Sequence, residues 1–186
     1  MALFVHLGRL VRSIDRSLPD VEHDTQVALL PDPTGQSVPE SVRHLPRMFI
    51  FERGQLDDDP ALREFASHLR ALSTPGPSAL TTTKRGFYNY LHPRLIQELL
   101  GVSVEMTDHT DVPLQVALAP VAREGRGWDF VAAEEQSRRL EEAKRLLVTR
   151  VAPAMTPELL TERKGRADVS RWLYAIKLNL PPQFYD

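Results

Sequence analysis

Leu140, Ala143, Leu147 and Val151 recur at steps of three and four through WDFVAAEEQSRRLEEAKRLLVTRV, so the spacing predicts one long helix over 128–151. Glu134 with Arg138, Glu135 with Arg139, and Glu141 with Arg145 stand four apart with the acid first, the better order for helical ion pairs. Such pairs contribute roughly 0.2–0.5 kcal/mol each, so docking must draw on the narrow apolar stripe. Asp129 reads as the N-cap.

The opening segment, 1–17, has the same periodicity. Leu3, Leu7, Leu10 and Ile14 form a stripe widened by Phe4 and Val11, with Arg9, Arg12 and Arg16 facing away. Such a helix can dock on its own fold, bind a protein partner or a membrane surface, or serve as an arginine-rich, acid-poor presequence.

Three further helices carry punctuation. Asp57, Asp58 and Asp59 precede Pro60, an acidic cap with proline at the first helical position, and Leu62, Phe65, Leu69 and Leu72 then share a face over 60–72. His92-Pro93 opens a helix with Leu95, Ile96, Leu99 and Leu100 inward, and Gly101 supplies the left-handed residue that ends it. Thr156-Pro157 starts a short helix, and Asp168 reads as the cap of a last one bearing Val169, Trp172, Leu173 and Ile176.

Strand signals fall between these. Gln26 to Leu30 is a short candidate, and a proline-rich loop follows over 31–46. Met48 to Phe51 is a continuous apolar run, as for a central strand covered on both faces. Val102, Val104 and Met106 alternate with polar residues, and after TDHTD the positions Val112, Leu114, Val116 and Leu118 alternate again. Period two on both arms predicts an antiparallel hairpin. The expected fold is α+β: a small, mostly antiparallel sheet covered by helices, with a helical C-terminal third, in a single domain over 1–186.

Composition narrows the chemistry. The 186 residues can bury a core without staples, and the formal charge of −2 gives no general pull toward nucleic acid or anionic lipid. With no cysteine, disulfides, thiolate zinc sites and thiol nucleophiles are excluded. No apolar run approaches the roughly 18–20 residues that span a bilayer, so a soluble, cytoplasmic chain is expected.

Candidate chemistry is sparse. In TTTKRGFYNY, Arg85-Gly86-Phe87 opens like the base-stacking strand of RNA-recognition folds before the pattern fails, which makes Lys84, Arg85, Phe87 and Tyr88 a weak nucleic-acid candidate. Gly125-x-Gly127 before a helix could cradle phosphate with Arg123 and Arg126, but no third glycine follows. The aspartate triplet 57–59, and His23 with His109 and their neighbouring carboxylates, could take a metal, although no paired-histidine motif is present. The tail PPQFYD is one residue out of register with a WW-domain ligand. No catalytic set, metal site or cofactor signature emerges.

Apolar material at both ends points to a non-enzymatic assembly protein. It would self-associate, or dock a protein partner, through Leu3, Phe4, Leu7, Leu10, Val11 and Ile14 together with Phe184 and Tyr185. The competing expectation is a small enzyme or ligand-binding domain with a pocket between sheet and helices, marked by titratable groups with perturbed pKa values.

Overall fold

The computed structural model describes residues 2–18, 49–71 and 79–179. Its elements run α1 (Ala2–Arg12), β1 (Phe49–Phe51), α2 (Arg53–Asp58), α3 (Pro60–Ala71), β2 (Ala79–Thr81), α4 (Pro93–Leu100), α5 (Val112–Arg123), α6 (Ala133–Leu146), α7 (Pro157–Glu162) and α8 (Gly165–Asn179). Short 3-10 turns occupy Phe87–Tyr90, Trp128–Phe130 and Ala152–Ala154.

The architecture is mostly helical, which overturns the expected α+β fold with its antiparallel sheet. Among the described residues the only sheet has two strands, and they run parallel, with Phe49 opposite Ala79 and Phe51 opposite Thr81. The candidate strand over 26–30 lies outside the described residues.

The hairpin fails for a local reason. Asp111 Oδ1 accepts the Leu114 N–H at 3.0 Å, and proline sits in the first turn, so 111–114 is a capped helix start. The residues that alternate with the aliphatics are Pro113, Gln115, Ala117 and Ala119; the proline suits a first helical turn and the others a helix interior, which blurs a period of two. The resulting α5 buries Val112, Val116, Ala117 and Val121. Over 102–106 the alternation does predict burial, since Val102 and Val104 are inside and Ser103 and Glu105 outside. That segment joins no ladder, and the Glu105 N–H donates to the Gln115 side chain at 3.1 Å.

Other expectations hold with shifted ends. Asp59 Oδ1 accepts from Ala61 N and Leu62 N at 2.9 and 3.1 Å, capping α3. Gly101 adopts φ 66° at the end of α4. The long helix begins at Ala133, four residues after the expected Asp129 cap, and ends in a π turn over Leu147–Val151. Its inward stripe is the expected one: Ala143, Leu147 and Val151 are buried and Leu140 is half-buried. Glu135 and Arg139 pair at 2.7 Å, whereas Arg145 chooses Glu142 rather than Glu141.

β1 divides the core by side-chain alternation. Ile50 faces the main core, while Phe49 and Phe51 pack with Leu56, Ala66 and Leu69 in a satellite under α3. The main core centres on Trp172 of α8. Its ring meets Phe87 at 5.5 Å and Tyr90 at 5.3 Å edge-on, and Phe4 of α1 at 6.2 Å. Leu3, Phe4, Leu7 and Val11 are all buried in this core, with α1 lying on α8 and on the turns at 87–90 and 152–154.

Candidate functional site

Because β1 and β2 are parallel, the residues that follow both strands emerge at the same edge. An antiparallel pair would have sent them to opposite edges. Glu52 follows β1 and Thr82-Thr83-Lys84-Arg85 follow β2. The two exits are stitched together: Thr82 N donates to Phe51 O at 2.9 Å, Gly54 N to Arg85 O at 2.7 Å, and Arg53 N to the Thr82 hydroxyl at 3.0 Å.

From this edge the stretch 82–90 runs through the interior as a polar spine. Lys84 is 4% exposed, its ammonium bonded to Asp108 and standing 5.7 Å over the Tyr90 ring. That bond holds the Asp108 carboxyl below the usual carboxylate range. Asn89, also buried, donates to Thr107 O and Thr110 O at 3.1 and 2.9 Å and accepts from Gly86 N, binding the 107–110 loop to the spine. Asp168 does not cap α8, which starts at Gly165. Its Oδ2 accepts from the Tyr90 hydroxyl at 2.5 Å and from the Thr83 hydroxyl, and Arg171 lies 3.1 Å from its Oδ1. Burial, followed by that bond to the carboxylate, raises the Tyr90 pKa.

On the outer side of the spine is a cleft of about 230 Å³ between α2, the 85–89 stretch, the start of α5 and one face of α6. Glu52, Gln55, Arg85, Tyr88 and Lys144 line it. Glu52 reaches across to accept the Phe87 N–H on Oε1 at 2.7 Å. Two glycines make these placements possible. A Cβ on Gly86 would come within 2.8 Å of Glu52 Oε1, and one on Gly54 within 2.7 Å of Arg85 Cγ. Arg85 pairs with Asp58 at 2.9 Å and lies 3.9 Å from Asp111, while Lys144 pairs with Glu141 at 2.7 Å.

Burial raises the Glu52 pKa above its ordinary 4.5, against the lowering effects of the Phe87 N–H and Lys144, and the Asp111 charge adds to the rise. Tyr88 is pushed up to about 12 by burial and by the charges of Glu52 and Glu141. For Glu52 the sign follows directly. The folded state holds its proton more tightly than the unfolded chain, so its contribution to stability is full below 4.5 and is lost as pH rises through the elevated folded value. Glu52→Gln should therefore be more stable than the parent at pH 7, with the difference closing as pH falls toward 4. Urea unfolding of both proteins across that range tests this, and a constant difference would contradict it.

The other sequence candidates are dispersed. Of the TTTKRGFYNY candidates, Lys84 turns to Asp108 and the half-buried Phe87 to the aromatic group around Trp172, while Arg85 and Tyr88 line the cleft together. Leu10 is half-buried and Ile14 exposed, while Phe184 and Tyr185 lie outside the described residues. Gly125-x-Gly127 follows a helix rather than a strand, Arg126 pairs with Glu124, and Arg123 donates to Gly101 O at 2.9 Å. His23 is outside the described residues, and no cluster of three histidine or carboxylate ligands occurs among the described ones. Glu52, Gln55 and Lys144 were not picked out by pattern. The available signal was an acid directly after an apolar strand and ahead of a glycine, since parallel strands present ligand-binding residues at their carboxyl ends.

No family model, curated protein or solved structure matches the chain. No helix among the described residues is long and apolar enough to cross a membrane.

Proposed function

We propose that this domain binds a small polar ligand in the cleft at the carboxyl ends of its two parallel strands. The observation that carries the reading is the convergence of Glu52, Arg85, Tyr88 and Lys144 on one concavity, with the Glu52 and Tyr88 pKa values both displaced upward. At about 230 Å³ the space is below the roughly 300–1,000 Å³ of sites for drug-sized molecules, which favours a small or partly enclosed ligand. Assembly through the N-terminal helix is the less supported reading, because Leu3, Phe4, Leu7 and Val11 are covered by the chain's own core.

The test is an amide-detected NMR titration of the full chain with small ammonium, carboxylate, phosphate and neutral hydroxyl compounds. At least one class should shift the amides of 52–55 and 85–89 saturably. In Gly86→Ala the new methyl group displaces the Glu52 carboxylate, a flexible end that moves at little cost to folding, so that response should fall while the rest of the spectrum stays in place. A cleft silent to every class would refute the reading.

A further inference from the structure

Hydrogen-bond accounting around the cleft gives a direction to its chemistry. Arg85 is held between Asp58 and Asp111, and Lys144 donates to Glu141, so the cleft's fixed cations are already matched to carboxylates. Each cation has its charge paired, whereas one carboxylate oxygen has no partner among the described residues. Glu52 has only Oε1 engaged, by the Phe87 N–H. Lining charges also lean negative, three carboxylates (Glu52, Asp58, Asp111) against Arg85 and Lys144. Tyr88 adds a half-buried aromatic residue to the lining.

Resting on the ligand-binding reading above, we propose that the ligand is a small organic cation whose ammonium or guanidinium group is received by Glu52, with Tyr88 against its carbon skeleton. An ammonium offers three donors and no acceptor, and a guanidinium offers five, either of which suits the unengaged oxygen of the Glu52 carboxylate. A charge-assisted bond to a carboxylate in a partly desolvated cleft is roughly twice as strong as a neutral one. An aromatic face beside it attracts the same cation through its quadrupole. An anion would instead face Glu52 across a lining in which Arg85 and Lys144 are already paired with carboxylates.

The experiment compares n-butylammonium and methylguanidinium with butyrate, inorganic phosphate and n-butanol on the full chain, by the same amide-detected titration. The cations should shift 52–55 and 87–89 and saturate. Glu52→Gln, which keeps the size and the acceptor for the Phe87 N–H, should weaken them at least about tenfold, the loss expected for one charge-assisted bond. Tyr88→Leu supplies an independent second variant and should also weaken them. Cation affinity in the parent should drop as pH falls through the Glu52 titration. Saturation by butyrate or phosphate in place of the cations would overturn the cation assignment and leave the ligand-binding reading standing. Unchanged cation affinity in Glu52→Gln would overturn it too. Silence to all five probes would overturn both.

Discussion

Deleting residues 2–17 should abolish folding rather than release a folded monomer from an assembly. Leu3, Phe4, Leu7 and Val11 are 5%, 2%, 0% and 1% exposed and belong to the main core. Burying a large aliphatic or aromatic side chain stabilises by roughly 1.5–3 kcal/mol, so these four together contribute roughly 6–12 kcal/mol. Whole domains are stable by only about 5–15 kcal/mol. The truncation would also uncover the faces of α8 and the 87–90 turn that α1 covers, and remove Phe4 from its contact 6.0 Å from Phe87. Circular dichroism and size exclusion with light scattering decide the matter. A truncated chain that keeps its helical signal and cooperative melting, at a lower oligomer order than the parent, would restore the assembly reading. Loss of the melting transition is the expected result.

The same helix shows what pattern alone could and could not resolve. Its apolar stripe was legible down to the residues, but a stripe does not say which surface it meets, and here the surface is provided by α8, more than 150 residues later in the chain. Helices with chemical punctuation were legible because their signals are local: Asp59-Pro60, His92-Pro93 with Gly101, and Thr156-Pro157 all stand where the structure uses them. The 112–118 stretch misled because alanine between aliphatics satisfies both periods, and the deciding residue, Asp111, looked like an ordinary turn former. β2 was hidden because three residues carry no periodicity, and its partner lies some thirty positions away.

The site was illegible for a related reason. Its parts come from Glu52, the 85–89 stretch, the start of α5 and Lys144 on α6, and only the parallel strand pairing brings the first two together. Reading an antiparallel sheet into the chain removed the geometry that makes the cleft. The TTTKRGFYNY stretch, which on sequence suggests nucleic-acid contact, sets a lysine, an arginine, an asparagine and three threonines beside three aromatics. Much of its polarity is spent inside, where Lys84, Asn89, Thr82 and the Tyr90 hydroxyl hold together segments distant in sequence. Polar networks of this kind are stabilising only when every member is satisfied. That explains why Asp168, expected as a cap, serves as the acceptor at the network's far end.

Trp172→Ala should be the most damaging single substitution. The side chain is 0% exposed and joins α1, the 87–90 turn and α8 through Phe4, Phe87 and Tyr90. Truncating a buried tryptophan to alanine costs about 3–5 kcal/mol, from lost transfer energy and from the cavity left behind. For a chain of this size each kcal/mol lowers the melting temperature by about 2–4 °C, so a fall on the order of 6–20 °C is expected. Trp172→Phe separates the causes. The indole Nε1 has no hydrogen-bond partner, so phenylalanine forfeits no bond, keeps an aromatic edge for Phe87 and Tyr90, and leaves a smaller void. Its loss should be less than half that of alanine. Because Phe87 offers its N–H to Glu52, the alanine variant should also blur the amide signals of 52–55 at temperatures well below its melting point, while phenylalanine leaves them sharp. Equal destabilisation by the two variants would contradict this and mean that the junction needs the full indole shape, which a phenylalanine ring cannot replace.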